Sequence, residues 1–354
     1  MRAHVAMTEL DRTIVLCESE QREDWNAYVE ASTSSTMCHQ FAWKDVIERV
    51  YGHRTYYLMA KHGGKSVGIL PLVLVHPPFM GSSLTSMPFM DYGGICADDA
   101  ETIQWLVDRA RALMQEHASH SIEMRQCDAS VQLGTSRQDK VSMVLDLSAG
   151  ADSIWKALPA KVRNQVRKAE KSGLTVCAGG TELLEEFYDI FVVNMRDLGS
   201  PVHSKAFFTE MCAVLGPSVK VTLVRDGSRT VGGLIALFFK DTMLVPWASS
   251  LREYFSKCPN NLLYWDAIQD GCKRGYAQFD FGRSTIGSGT YDFKKQWGAQ
   301  SKQLYWQVLK VQGTADTTIS SDDTKYRLAL EVWKRLPTPV TRIMGPRIRK
   351  YLTN

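Results

Sequence analysis

The chain has 354 residues, 44% of them apolar and 23% charged, which argues against long disordered or fibrous stretches and gives room for about two domains. Its 42 Lys and Arg against 38 Asp and Glu leave a formal charge of +4, too mild to demand nucleic acid yet compatible with an anionic partner. Eight scattered cysteines form no C-x-x-C pair, so neither a zinc knuckle nor a disulfide framework is expected, and a reducing cytoplasm fits best.

His4, Glu9 and Asp11 interrupt the first residues, so no secretory signal is expected there. Thr13 to Cys17 reads as a strand, followed by amphipathic helices at Arg22 to Glu30 and Ala42 to Val50. A hairpin with arms Arg54 to Lys61 and Ser66 to Val75 turns at Gly63-Gly64, a dipeptide that supplies the positive φ angles a tight turn needs. After Pro77-Pro78 and a Gly/Ser/Met-rich stretch ending in Asp91-Tyr92-Gly93-Gly94 come a helix at Asp98 to His117 and strands at Ile122 to Cys127 and Val141 to Leu147. The longest apolar run, Val231 to Phe239, falls well short of the roughly 20 residues that a membrane-spanning helix needs.

The second half repeats this plan. Arg229-Thr230-Val231-Gly232 matches Lys65-Ser66-Val67-Gly68, and Gly227 matches Gly63, at one constant offset of 164 residues, the difference between 231 and 67. A strand at Thr242 to Ala248, a helix at Asn261 to Arg274 and a strand at Gln278 to Phe281 then recur in order, with Asn260 or Asn261 placed to cap the helix. Duplication of an α/β unit is the simplest reading, with domains at 1–149 and 150–354 divided at Ser148-Ala149-Gly150.

Three constellations can carry chemistry. The helix Lys161 to Lys171, stopped by Gly173, buries Val162, Val166 and Ala169 and shows Arg163, Asn164 and Arg167 outward; it is either a solvated face or a phosphate-binding one. In Gln278 to Ser284, alternation sends Gln278 and Asp280 to one face and Phe279 and Phe281 to the other, and Gly282 permits a bend before a loop through Gly287 and Gly289 into Tyr291 to Gly298. That glycine spacing fits neither the dinucleotide fingerprint nor the P-loop. Pro246-Trp247-Ala248-Ser249-Ser250 could line a cleft with Tyr264, although Trp247 and Tyr264 also read as core aromatics. His39, His53 and His203 stand apart, so no metal site or Ser/His/Asp triad is expected.

Arg163-Asn164-Gln165-Val166-Arg167-Lys168-Ala169, Asp280-Phe281-Gly282-Arg283-Ser284 and Phe293-Lys294-x-x-Trp297-Gly298 resemble the FemAB-like family of non-ribosomal peptidyl (aminoacyl) transferases. More narrowly the chain resembles its PEP-CTERM/exosortase-associated, exopolysaccharide-linked branch. The resemblance implies two tandem GNAT-like (BioF2-like) acyltransferase domains, mixed sheets flanked by helices, in an α/β chain. It implies amide formation on an amine-bearing peptidoglycan or exopolysaccharide-related acceptor, with aminoacyl-tRNA as donor and no resident cofactor. It further implies Lys294 as the cation facing the oxyanion, with Lys295 as control; Asp280, if its strand end faces the cleft, could accept the amine proton or orient the acceptor, the family having no agreed general base. Arg163, Arg167 and Arg283 would hold phosphates, and Asn164, Trp247, Tyr264, Gly282, Ser284, Gly289, Phe293 and Trp297 would line the substrate site. The alternative donor is acyl-CoA, whose usual [RQ]-x-x-G-x-[GA] signature is only approached at Arg229 to Leu234 and Arg342 to Arg347; a non-catalytic binding protein on the same fold is a third reading. The basic, apolar-interspersed stretch from Arg342 to Leu352 reads as a docked terminal helix, with weak membrane-surface contact as the other reading.

Overall fold

The Gly63-Gly64 turn is formed with φ angles of 57° and 75°, and the strands on either side of it are the longest in their sheet. The computed structural model describes residues 11–78, 81–311 and 324–353; residues 1–10, on which the secretory-signal reading mainly rests, lie outside them. These residues divide into two compact units, one holding the chain up to Asp139 with 303–311 and 351–353, the other holding 140–302 and 324–350.

In chain order the first unit contains β1 (Arg12–Leu16), α1 (Arg22–Ala31), α2 (Ala42–Tyr51), β2 (Arg54–His62), β3 (Lys65–Val75), β4 (Ser83–Ser86), β5 (Cys96–Ala97), α3 (Ala100–Glu116), β6 (Ser121–Gln126) and β7 (Thr135–Arg137). Then follow β8 (Lys140–Asp146), α4 (Gly150–Ala157), α5 (Ala160–Lys171), β9 (Leu174–Gly179), α6 (Leu184–Leu198), α7 (Lys205–Leu215), β10 (Val219–Asp226) and β11 (Arg229–Phe239). The chain continues through β12 (Thr242–Ser250), α8 (Pro259–Lys273), β13 (Gln278–Thr285), α9 (Gly289–Lys295), β14 (Gln300–Gln303), β15 (Tyr305–Lys310), α10 (Thr324–Arg335) and α11 (Thr338–Arg349). Among these, no helix is long and apolar enough to cross a membrane.

The two sheets share one plan. The first runs β1-β2-β3-β4-β6-β15-β7 with β5 added beside β3, and the second runs β9-β10-β11-β12-β13-β8-β14. Strands β3 and β11 begin and end 164 residues apart, at 65 and 229 and at 75 and 239, so the offset read from the sequence is the offset of the fold. In each sheet one parallel pair, β4 with β6 and β12 with β13, lies between antiparallel neighbours. The strand beside that pair is exchanged. β8, the first strand after the first unit's helix and strands, pairs with β13, while β15, made much later, pairs with β6. The division expected at 149/150 therefore falls at 139/140, and neither unit is a continuous stretch. The alternation in Val141 to Leu147 marks a strand, but nothing in it names the partner.

Each unit has its own core. In the first, α3 covers Leu58, Leu70, Leu84, Ile122 and Met124 with Leu106 and Val107. In the second, α5 and α8 bring Val162, Val166, Leu263 and Ile268 onto Leu234, Met243, Phe279 and Phe281. Gly68 is a glycine because α3 comes close: a Cβ there would stand 2.6 Å from Thr102 Cγ2 and 3.0 Å from Ala97 Cβ. Gly68→Val should therefore destabilise the protein by about 2 kcal/mol through overpacking, read as a lower urea midpoint; an unchanged midpoint would show that α3 can move away at no cost.

Candidate active site

Strands β12 and β13 are paired for only three residues each, Thr242–Leu244 with Gln278–Asp280, although they run on to Ser250 and Thr285. Each keeps its antiparallel neighbour beyond that point, β12 with β11 and β13 with β8. Both ladders are irregular at the place of parting: Val245 and Pro246 oppose the single residue Ala236, and Phe281 and Gly282 oppose the single residue Met143. Pro246 cannot donate to a ladder, so a proline inside the strand pattern was the sequence signal for this break. The facing edges beyond Leu244 and Asp280 leave the strands open at their C-terminal ends, where α/β folds take up ligands.

Gly282 adopts φ of 73°, a left-handed conformation that favours glycine, and two buried ionisable side chains hold it. The Asp280 carboxylate accepts the Gly282 N–H at 2.8 Å and the Ser142 hydroxyl at 2.6 Å, both on Oδ1. The Lys294 ammonium, brought in by α9, donates to the carbonyls of Gly282 at 2.9 Å and Arg283 at 2.8 Å. Asp280 is 4% exposed and Lys294 8%. Helix α9 forms because Ser288 caps it, accepting the Tyr291 N–H, so the segment expected as a glycine-rich loop is helical from Gly289 onward. Ser284 is buried on the same strand, and its hydroxyl has no hydrogen-bond partner; the indole N–H of the buried Trp297 also has none.

The structure thus brings Asp280, Gly282, Arg283, Ser284 and Lys294 to one corner. Tyr264, Phe293 and Trp297 lie in the core beside it, Tyr264 stacking on Phe281 at 5.3 Å and meeting Phe293 at 5.3 Å. Burial pushes the Tyr264 phenol up, so it stays neutral at physiological pH. Trp247 sits apart from them, among Phe207, Phe208 and His203, which α7 and its preceding loop supply.

On α5, Arg163 does not present a free phosphate fork. One of its terminal nitrogens donates to the carbonyls of Lys156 at 2.9 Å and Leu158 at 2.7 Å and lies 3.4 Å from that of Trp155, closing the C-terminal end of α4. Asn164 is exposed, and Arg167 is exposed over the Trp155 ring at 5.5 Å. Helix α8 starts at Pro259 after Cys258 and not at an asparagine cap, because proline fits the first helical position, where no N–H is needed. Asn260 instead accepts from Ser250, and Asn261 donates to Gln165. Ser142, which fixes Asp280, lies 138 residues away in sequence and carried no signal of its own. Among the described residues no group of three or more His, Cys, Asp or Glu could hold a metal ion.

Residues 158–295 match the family model described as Acetyltransferase (GNAT) domain. The chain carries a GNAT-type acyltransferase domain. Its fold is shared with FemX at 13% identity and TM-score 0.65, covering 84% of this chain and 97% of that one. It is shared with L-PGS from Bacillus licheniformis at 11% identity and TM-score 0.54, covering 96% and 98%. A tandem GNAT protein from the clavulanic acid biosynthesis pathway follows at 11% identity and TM-score 0.53, covering 86% and 100%. None of the curated protein sequences matches the chain. The tandem GNAT architecture that the FemAB-like resemblance implies is the architecture found, and an acyltransferase of this fold requires an acyl donor and an amine acceptor.

Two outcomes follow from the geometry. Asp280→Ala removes the acceptor of two buried donors and should cost about 1–3 kcal/mol of stability, measured by urea denaturation; a neutral result would mean that water replaces the carboxylate. His203 is buried, stacks on Phe207 at 4.5 Å and takes the Arg349 Nε–H at 3.0 Å, and burial first, then the Arg349 charge, holds its pKa well below 6.5. The unfolded chain binds this proton below 6.5 while the native one does not, so stability present above that pH is lost as pH falls. The slope of Tm against pH below 6.5 should flatten in His203→Gln, and a slope equal to wild type would assign the loss elsewhere.

Proposed function

We propose that the chain is an aminoacyl transferase, acting in the cytoplasm, that forms an amide on an amine-bearing peptidoglycan or exopolysaccharide-related precursor with aminoacyl-tRNA as donor. The observation that carries this reading is the buried Lys294 ammonium at the Gly282 bulge, where β12 and β13 part. Nucleophilic attack by the acceptor nitrogen on the donor ester makes the C–N bond and pushes the carbonyl electrons onto oxygen. Lys294 would face that oxyanion, and collapse would then break the ester C–O bond and release the ribose hydroxyl. Asp280 would accept the amine proton or orient the amine, and the leaving oxygen regains a proton. Arg167 and Arg283 would hold phosphates, with Arg163 acting through the end of α4. Association with PEP-CTERM loci is part of the same proposal.

Acyl-CoA is the second reading, favoured by the acetyltransferase description of the matched family. Neither near-signature opens a helix, however: Arg229 to Leu234 lies within β11 and Arg342 to Arg347 within α11. Binding of charged tRNA, uncharged tRNA and acetyl-CoA at stated salt distinguishes the donors, and a purely acetyl-CoA-dependent signal replaces the first reading by the second. With the donor in hand, Lys294→Ala should lower kcat by about 10²–10³-fold with little change in KM, while the exposed Lys295→Ala stays within about twofold of wild type. Equal losses in both variants would remove Lys294 from the mechanism.

A further inference from the structure

Helices α10 and α11 both pack on α6 of the second unit; α10 turns the buried Trp333 inward in the usual way, whereas the amphipathic sense of α11 is inverted. The inner side of α11 is small and polar. Thr341 is buried, Gly345 is so close to Val202 that a Cβ would meet its Cγ1 at 2.9 Å, and Arg342 pairs with Asp189 and Glu185. The aliphatic residues point the other way. Of the eleven large hydrophobic residues exposed among the described ones, six stand on these two helices: Leu328, Val332, Val340, Ile343, Met344 and Ile348. At 100° per residue, Arg347 lies between Ile343 and Val340 on the outer face of α11, and Arg335 beside Leu328 on that of α10.

The segment carrying these helices is strongly cationic; Arg342 pairs inward with Asp189 and Glu185, Lys334 pairs with Glu331 and Arg349 meets His203, so the cations set among the outward aliphatics are Arg335 and Arg347. Residues 328–350 hold six Lys and Arg and one Glu, a net +5, so the rest of the chain sums to −1 within its overall +4. A solvated helix needs no outward aliphatics, and a tRNA-binding face would place cations and aromatic rings there. Outward aliphatics interleaved with arginine fit the boundary between lipid headgroups and acyl chains, where the apolar side chains sink and the guanidiniums meet anionic headgroups. We infer that the outer face of α10 and α11 docks the enzyme on an anionic lipid bilayer, lying in the plane of its surface. The inference stands independently of the group transferred and of the roles given to Lys294 and Asp280.

Co-sedimentation of the full chain with phosphatidylcholine vesicles, with and without phosphatidylglycerol, tests it. Wild type should bind the anionic vesicles preferentially, and Ile343→Ser/Met344→Ser and Arg335→Gln/Arg347→Gln should each weaken binding by about tenfold or more at unchanged Tm. Added salt should weaken wild type more than the arginine variant. Absence of wild-type binding, or variants that bind like wild type, overturns the inference. So does loss of tRNA binding in the arginine variant with vesicle binding intact, which would make the face an RNA surface. Self-association that the Ile343/Met344 variant abolishes, without vesicle binding, would make it a dimer interface instead.

Discussion

The candidate site depends on the paired departures from regular strand pairing where β12 and β13 part, and above all on the bulge at Phe281 and Gly282. Without it β13 would stay in register with β8 and its edge would continue alongside β12. The bulge is held through both backbone polar groups of one residue, since Asp280 accepts from the N–H of Gly282 and Lys294 donates to its C=O. Burying a carboxylate and an ammonium is costly unless each finds hydrogen-bonding partners. Here the backbone supplies them, so the same contacts that shape the strand also fix an ammonium at the mouth of the opening. A rigidly placed cation in a shielded site interacts with developing negative charge far more strongly than one in water.

The first unit shows what happens to the same frame when the corner is filled. By the register of its parallel pair, Glu123 stands where Asp280 stands, each being the last residue paired. Two residues on, where the second unit has Gly282, the first has Arg125, which is fully buried. Its guanidinium pairs with Glu123, donates to the carbonyls of Met87, Met90 and Thr353, and lies 4.4 Å from the Trp306 ring centre. A glycine stands at this position in one unit, and a large, fully buried charged residue stands there in the other. Duplication supplied two frames, and the side chain two positions past the parallel pair separates their uses.

Much of this was legible in the residues. The hairpin at Gly63-Gly64, the offset of 164 and the alternation placing Phe279 and Phe281 in the core all follow from local periodicity and turn chemistry, which the sequence encodes within short windows. What was hidden is non-local. The basic spacing of Arg163 and Arg167 cannot reveal that α4 ends within reach of one of them, with open carbonyls to satisfy. Nor can Asp280 announce that its partner is Ser142, because that contact exists only once β8 has joined the second sheet. Family resemblance pointed to Lys294, and the geometry adds which carbonyls hold it.

The exchange of β8 and β15 also sets a clock on synthesis. On the ribosome, the first sheet lacks the strand that separates β6 from β7 until residue 310 has been made, about 170 residues after β7 itself. At elongation rates of about 5–20 residues per second that is roughly ten to thirty-five seconds during which the edge of β6 away from β4 lacks its native partner. Both sheets are completed only by strands made late in the chain, β14 and β15, so the two units reach their native sheets almost together instead of one after the other.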